Sequence, residues 1–86
     1  IAPRVAEPDV GRGYAAAGRY VVSRHARNRM RERRVLEGDL RHALMNARSC
    51  RKQEKGAWRV EGSDLDGDDL TVVVAIDDGL VVVTLF

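Results

Sequence analysis

Eighty-six residues with a formal net charge of +2 make one small domain, near the lower end of what folds unaided, and leave no room for a second. Cys50 stands alone, so no intrachain disulfide forms and no Cys/His cluster has zinc spacing, a composition that fits a reducing compartment. The longest apolar runs, Leu70 to Ile76 and Leu80 to Phe86, fall far short of the roughly 20 residues that span a bilayer.

The small net charge conceals two opposed blocks. Residues 1 to 59 carry all fifteen basic residues and six acids, a net +9, whereas residues 60 to 86 carry seven acids and no base. Such asymmetry suggests a polyanion as partner of the first half. That thirteen of the fifteen are Arg also fits a GC-rich genome, so the Arg bias itself is discounted.

Residues 1 to 19 hold both prolines, Gly11, Gly13 and Gly18 without a sustained period, and read as a flexible N-terminal arm ahead of a domain over residues 20 to 86. The chain begins at Ile1, as a processed fragment or a piece of a longer protein would, and Ala15-Ala16-Ala17 is too short for the apolar core of a signal peptide. Tyr20-Val21-Val22 is β-branched and aromatic and suits a short edge strand. Ser23 then caps a helix whose next ten residues contain no Pro or Gly. At about 100° per residue, Ala26 and Met30 share its apolar side, and His25, Arg29 and Arg33 recur at i, i+4 and i+8 along one flank. Arg24, Arg27, Arg31 and Arg34 spread over the outward faces with Asn28 and Glu32.

Six arginines in eleven residues repel one another by a few tenths of a kcal/mol per i,i+4 pair, so they call for a reason. Phosphate is the usual one, since a guanidinium grips it bidentately and an imidazole can move a proton beside it near neutral pH. The plain alternative makes Arg33 the partner of an acidic strand residue, His25 a residue of no special role, and the rest a solvated face.

Leu36, Leu40, Ala43, Leu44 and Ala47 then form the stripe of a second, amphipathic helix, with Arg41, His42 and Asn46 outside. Glu37 and Asp39 suit its first turn, Gly38 is an odd choice there, and His42 reads as exposed. From Ser49 onward the period becomes two. Strands are expected over Cys50 to Glu54, Trp58 to Ser63, Leu70 to Ile76 and Leu80 to Phe86, joined by turns at Lys55-Gly56, Asp66-Gly67 and Asp77-Asp78-Gly79. The fold class is α+β, with two N-terminal helices packed on a four-stranded antiparallel sheet and a short extra strand ahead of them.

Asp64 to Asp69 has the wrong Gly and Glu positions for an EF-hand and reads as a solvated turn. Phosphate loops, dinucleotide fingerprints and paired carboxylates are missing, so no metal and no small-molecule cofactor is expected. Four scattered aromatics make no stacking platform, and Trp58 reads as core or cleft wall.

His25-Ala26-x-x-Arg29-Met30-x-x-Arg33, followed by Trp58-Arg59-Val60-x-Gly62, Leu65-x-Gly67, Leu70-x-Val72-Val73-Val74 and Val83-Thr84, resembles a bacterial family long catalogued as a domain of unknown function. That family looks like a branch of the RelE-type toxins, within the barnase-like group of metal-independent ribonucleases. The resemblance covers about residues 20 to 86. It implies an RNA-cleaving toxin acting in the cytoplasm, reached from outside if the chain is the tip of a secreted toxin, and held inactive by a cognate antitoxin or immunity protein. Its site would lie where the helix meets the concave sheet face. His25 would be the general base or acid, Arg29 and Arg33 would hold the phosphate, and Thr84 would add a hydrogen bond, with Arg24, Arg27 and Arg59 as further RNA contacts. Many RelE-type enzymes carry basic residues on their C-terminal strands, whereas this chain has none after Arg59, so the helix must supply the positive charge. A non-catalytic nucleic-acid-binding or partner-binding module built on the same arginines is the competing expectation.

Overall fold

A computed structural model of the chain describes residues 12–77 and 79–86. Of the arm expected over residues 1 to 19, residues 1 to 11 lie outside the described residues, as does the turn residue Asp78. In chain order the elements are α1 (Arg12–Ala16), β1 (Tyr20–Val22), α2 (Arg24–Arg33), α3 (Glu37–Met45), β2 (Ser49–Lys52), a 3₁₀ turn (Glu54–Gly56), β3 (Ala57–Ser63), β4 (Asp69–Ile76) and β5 (Leu80–Leu85).

The α+β class holds, but the described residues contain three helices and a five-stranded mixed sheet of order β1-β5-β4-β3-β2. β2 to β5 form the expected antiparallel meander. β1 joins it in parallel, Tyr20 opposite Leu80 and Val22 opposite Val82; both main helices carry the chain from β1 to β2 at the far edge, and the meander brings it back beside β1 as β5. The additional helix, α1, lies in what reads as arm. It is five residues long, too short for a period to reveal it, and it is held from a distance. Ala15 is fully buried, and Arg41 of α3 donates to the Ala16 carbonyl at 3.1 Å.

Alternation along the strands settles which face is covered. Cys50, Val60, Val72 and Leu85 stand in one row and Val74 and Val82 in the next, all buried beneath Leu40, Ala43, Leu44 and Ala26 of the helices. Trp58 is half-buried against this core. Gly62 belongs to the same face: a Cβ there would stand 2.5 Å from the Ala43 carbonyl oxygen, so α3 lies directly on the β3 backbone. The opposite face is open. β2 ends at Lys52, earlier than the sequence suggests, because Lys55 and Gly56 both take positive φ and close the turn with Gln53 donating to the Ala57 carbonyl.

Candidate phosphate-binding helix and its surroundings

Ser23 fixes where the basic helix begins. Its backbone is extended, and its Oγ accepts from the Ala26 amide at 3.1 Å while donating to the Val83 carbonyl at 2.9 Å. One hydroxyl thus caps α2 and ties it to β5 at the irregularity where Val74 faces Val82 but Val73 faces Thr84. One turn further on, Arg29 Nε donates to the Leu85 carbonyl at 3.2 Å. β1 pairs with β5 only as far as Val82, so side chains of α2 take up the carbonyls that a longer edge strand would have bonded.

Arg29 is therefore a structural residue as well as a candidate ligand. Its guanidinium is aimed by Leu85, and Nη1 lies 3.9 Å from Glu32 Oε1. His25 is exposed one turn before it, with their Cβ atoms about 5–6 Å apart by helix geometry. Arg24, Arg27, Arg31, Arg33 and Arg34 are also exposed, and none makes an ion pair or side-chain hydrogen bond among the described residues. Within that set Arg33 does not bridge to an acidic strand residue.

Arg59 and Thr84 stand elsewhere. Both flank Val73 in one row across the open face, so roughly two strand spacings, about 10 Å, separate them, with the sheet between them and the buried side of α2. Arg59 leans over Phe86, its guanidinium carbon 5.1 Å from the ring centroid. Its Nε is shielded from solvent and lies 3.5 Å from Glu61 Oε2, a charge pairing without hydrogen-bond geometry. His25, Arg29 and Arg33 share one helix with Arg24 and Arg27; Arg59 and Thr84 are not brought to them.

α3 uses its polar residues differently. Asp39 Oδ2 accepts from the Leu36 amide and Oδ1 from the Leu65 amide, both at 3.0 Å. The bond from Leu36, then that from Leu65, holds its carboxyl below the usual carboxylate range. His42 is half-buried rather than exposed: Nδ1 lies 2.8 Å from the Ser63 carbonyl, which can only accept, so Nδ1 carries the proton. The stripe pattern places His42 off the apolar face but says nothing of a β3 carbonyl arriving beside it. Asp64 closes its turn as expected for a solvated loop, Oδ1 accepting from the Asp66 and Asp68 amides at 2.9 and 2.8 Å. A Cβ on Gly38 would stand 3.2 Å from Leu65 Cδ1, the end of an exposed side chain that need give only slightly. Tyr20 donates to Glu37 Oε2 at 3.3 Å, and partial burial followed by that carboxylate's charge pushes its phenol up.

Between α2 and α3 runs a groove of about 390 Å³ lined by Arg27, Met30, Arg31, Arg34, Val35 and Leu36. Arg34 ends α2 in the left-handed region, φ 57° and ψ 39°, with its amide and that of Val35 returning to the carbonyls of Arg31 and Met30. The sequence signals for this groove are two residues out of type, an Arg where a helix-ending Gly is usual and a Leu at an N-cap.

Among the described residues no three His, Cys, Asp or Glu side chains converge as a metal ion requires, and no helix is long and apolar enough to cross a membrane. What the fold and the helix define is a small α+β domain with an exposed, arginine-rich helix on one side of its sheet. The chain belongs to a family of domains of unknown function, DUF4258, which matches residues 22–86 and so takes in everything from the end of β1 to the C-terminus. No curated protein and no solved structure matches it.

Proposed function

We propose that the chain is a metal-independent ribonuclease of the RelE-like kind, a toxin domain acting on RNA in the cytoplasm and neutralised by a cognate antitoxin or immunity protein. The observation that carries this reading is the α2 flank: an exposed imidazole one turn from a guanidinium already aimed by the Leu85 carbonyl, amid five exposed arginines without an ion pair among the described residues. His25 takes the proton of the ribose 2′-hydroxyl, O2′ attacks phosphorus, and the P–O5′ bond breaks as O5′ takes a proton from solvent water, the resulting hydroxide recovering the proton held by His25. The products are a 2′,3′-cyclic phosphate and a 5′-hydroxyl end. Arg29, through its Nη atoms, and Arg33 hold the phosphoryl oxygens, where positioned cations count most as charge builds in the transition state. Arg24 and Arg27 extend the contact along the backbone. Arg59 and Thr84, on the open face, have no part in this step and are assigned at most to more distant RNA.

The test is purified chain with total RNA in excess EDTA, wild type beside His25→Ala. Cyclic phosphate ends are expected from the wild type, with a rate loss of about 10²- to 10⁴-fold in the variant and an unchanged melting temperature. RNA left intact both alone and with translating ribosomes would sink the enzyme reading.

One observation favours a second reading, a nucleic-acid-binding module without catalysis. A general base is ordinarily oriented by a third group, and His25 has no hydrogen-bond partner among the described residues. A binder should lose affinity steeply with salt and keep nearly all of it in His25→Ala.

A further inference from the structure

The groove between α2 and α3 breaks two local rules at once. Leu36 occupies the N-cap of α3, where Ser, Thr, Asp or Asn would satisfy an orphan amide, and it is 70% exposed. Only the reciprocal half of a capping box forms, from Asp39 back to the Leu36 amide. Arg34 occupies a left-handed position that glycine adopts without a Cβ penalty. Both residues line the same groove, and each presents a side chain that the fold itself does not use. Strain and exposure kept together at one place point to a ligand.

The chemistry of the groove says which. Its apolar members, Met30, Val35 and Leu36, are aliphatic and offer no aromatic surface for a nucleobase. Its rim, Arg27, Arg31 and Arg34, is exposed and lacks an anionic partner among the described residues. We infer that this groove docks an acidic segment of a partner protein, an apolar side chain of that segment seated on Met30, Val35 and Leu36 and its carboxylates on the three arginines. The rim lies on the side of α2 away from His25 and Arg29, at about 100° per residue, so the segment leaves those two open to RNA and competes with it only for Arg27. That the partner is an inhibitor rests on the function proposed above; the acidic, apolar character of the segment does not.

A random peptide library displayed on phage, panned against the whole chain and counter-selected on Leu36→Ser and Arg31→Glu, tests this directly. The Leu36 variant removes the apolar anchor yet supplies a capping hydroxyl, so its melting temperature should hold or rise. Enriched sequences should be acidic around a large apolar residue. Made as synthetic peptides, they should bind the wild type in a salt-sensitive way, lose about tenfold or more in either variant, and bind His25→Ala as well as the wild type. Enriched peptides no more acidic or apolar than the library, or indifferent to both variants, would overturn the proposal. So would a single-stranded oligoribonucleotide that displaces the peptide and itself weakens in Leu36→Ser, since the groove would then belong to RNA. Cleavage of RNA in EDTA, alone and with translating ribosomes, is read in parallel and keeps the two proposals apart: RNA cut without peptide selection removes the groove assignment alone, and peptide bound with RNA intact in both settings removes the ribonuclease alone.

Discussion

Helices α2 and α3 lie against the same face of the same sheet and differ by one residue in length, ten against nine. α3 buries Leu40, Ala43 and Leu44, and its Asp39, Arg41 and His42, with Asn46 at its C-terminal cap, all have hydrogen-bond partners. α2 buries only Ala26 and leaves its arginines, Arg29 excepted, without partners among the described residues. The difference teaches where to look for what the domain does. A helix that spends its polar groups on the fold has none left for a ligand, whereas α2 is held by Ser23, Ala26 and Arg29 and keeps the remainder free.

The largest effect that would test this division comes from α3. Leu44→Ala removes a fully buried side chain and should cost about 2–5 kcal/mol, a large share of the stability of a small domain. For a domain of this size each kcal/mol moves the melting temperature by roughly 4–8 °C. Arg24→Ala, on α2, should stay within about 0.5 kcal/mol of wild type by the same thermal melts. If Arg24→Ala proved the more damaging of the two, the basic helix would be part of the scaffold and its charge no guide to function.

A smaller effect probes the carboxylate that joins α3 to the β3–β4 turn. The Asp39 carboxyl titrates below its unfolded value, so its contribution to stability is complete above the unfolded pKa and is lost as pH falls through the folded one. Asp39→Asn should be less stable than wild type at neutral pH. Urea midpoints for the two proteins should converge below about pH 4, near the unfolded Asp value, as the wild-type carboxyl takes up its proton. A gap that stays constant with pH would mean that the charge of Asp39 contributes nothing and that the amide serves equally well.

How much of this was legible in the sequence follows from the range of each signal. The strands of the meander and the two main helices are announced by period alone, and Ser23 announces the start of α2 because a cap acts within one turn. The partners that arrive from far along the chain are silent there: Ala15 under α3, the Ser63 carbonyl beside His42, and the Leu85 carbonyl under Arg29. For the candidate site, period places His25, Arg29 and Arg33 on one helix, but only the strand register reveals that Thr84 and Arg59 belong to the other face of the sheet.

The smallest effect decides most sharply whether α2 is shaped for binding. Arg34 holds a left-handed backbone at a cost of about 1 kcal/mol that glycine would avoid, and it adds a cation beside Arg27 and Arg31 in the groove. Arg34→Gly should therefore stabilise the domain by about 0.5–1 kcal/mol in urea titration, the greater freedom of glycine in the unfolded chain offsetting part of the relief. The same variant should bind the acidic peptides selected on the groove more weakly and with a shallower salt dependence, because one of three rim charges is gone. Stability gained while affinity is lost is the signature of a residue kept for its ligand. An Arg34→Gly protein that is no more stable, or that holds the peptide as tightly as before, would make Arg34 an ordinary helix end and return the groove to being a gap between two helices.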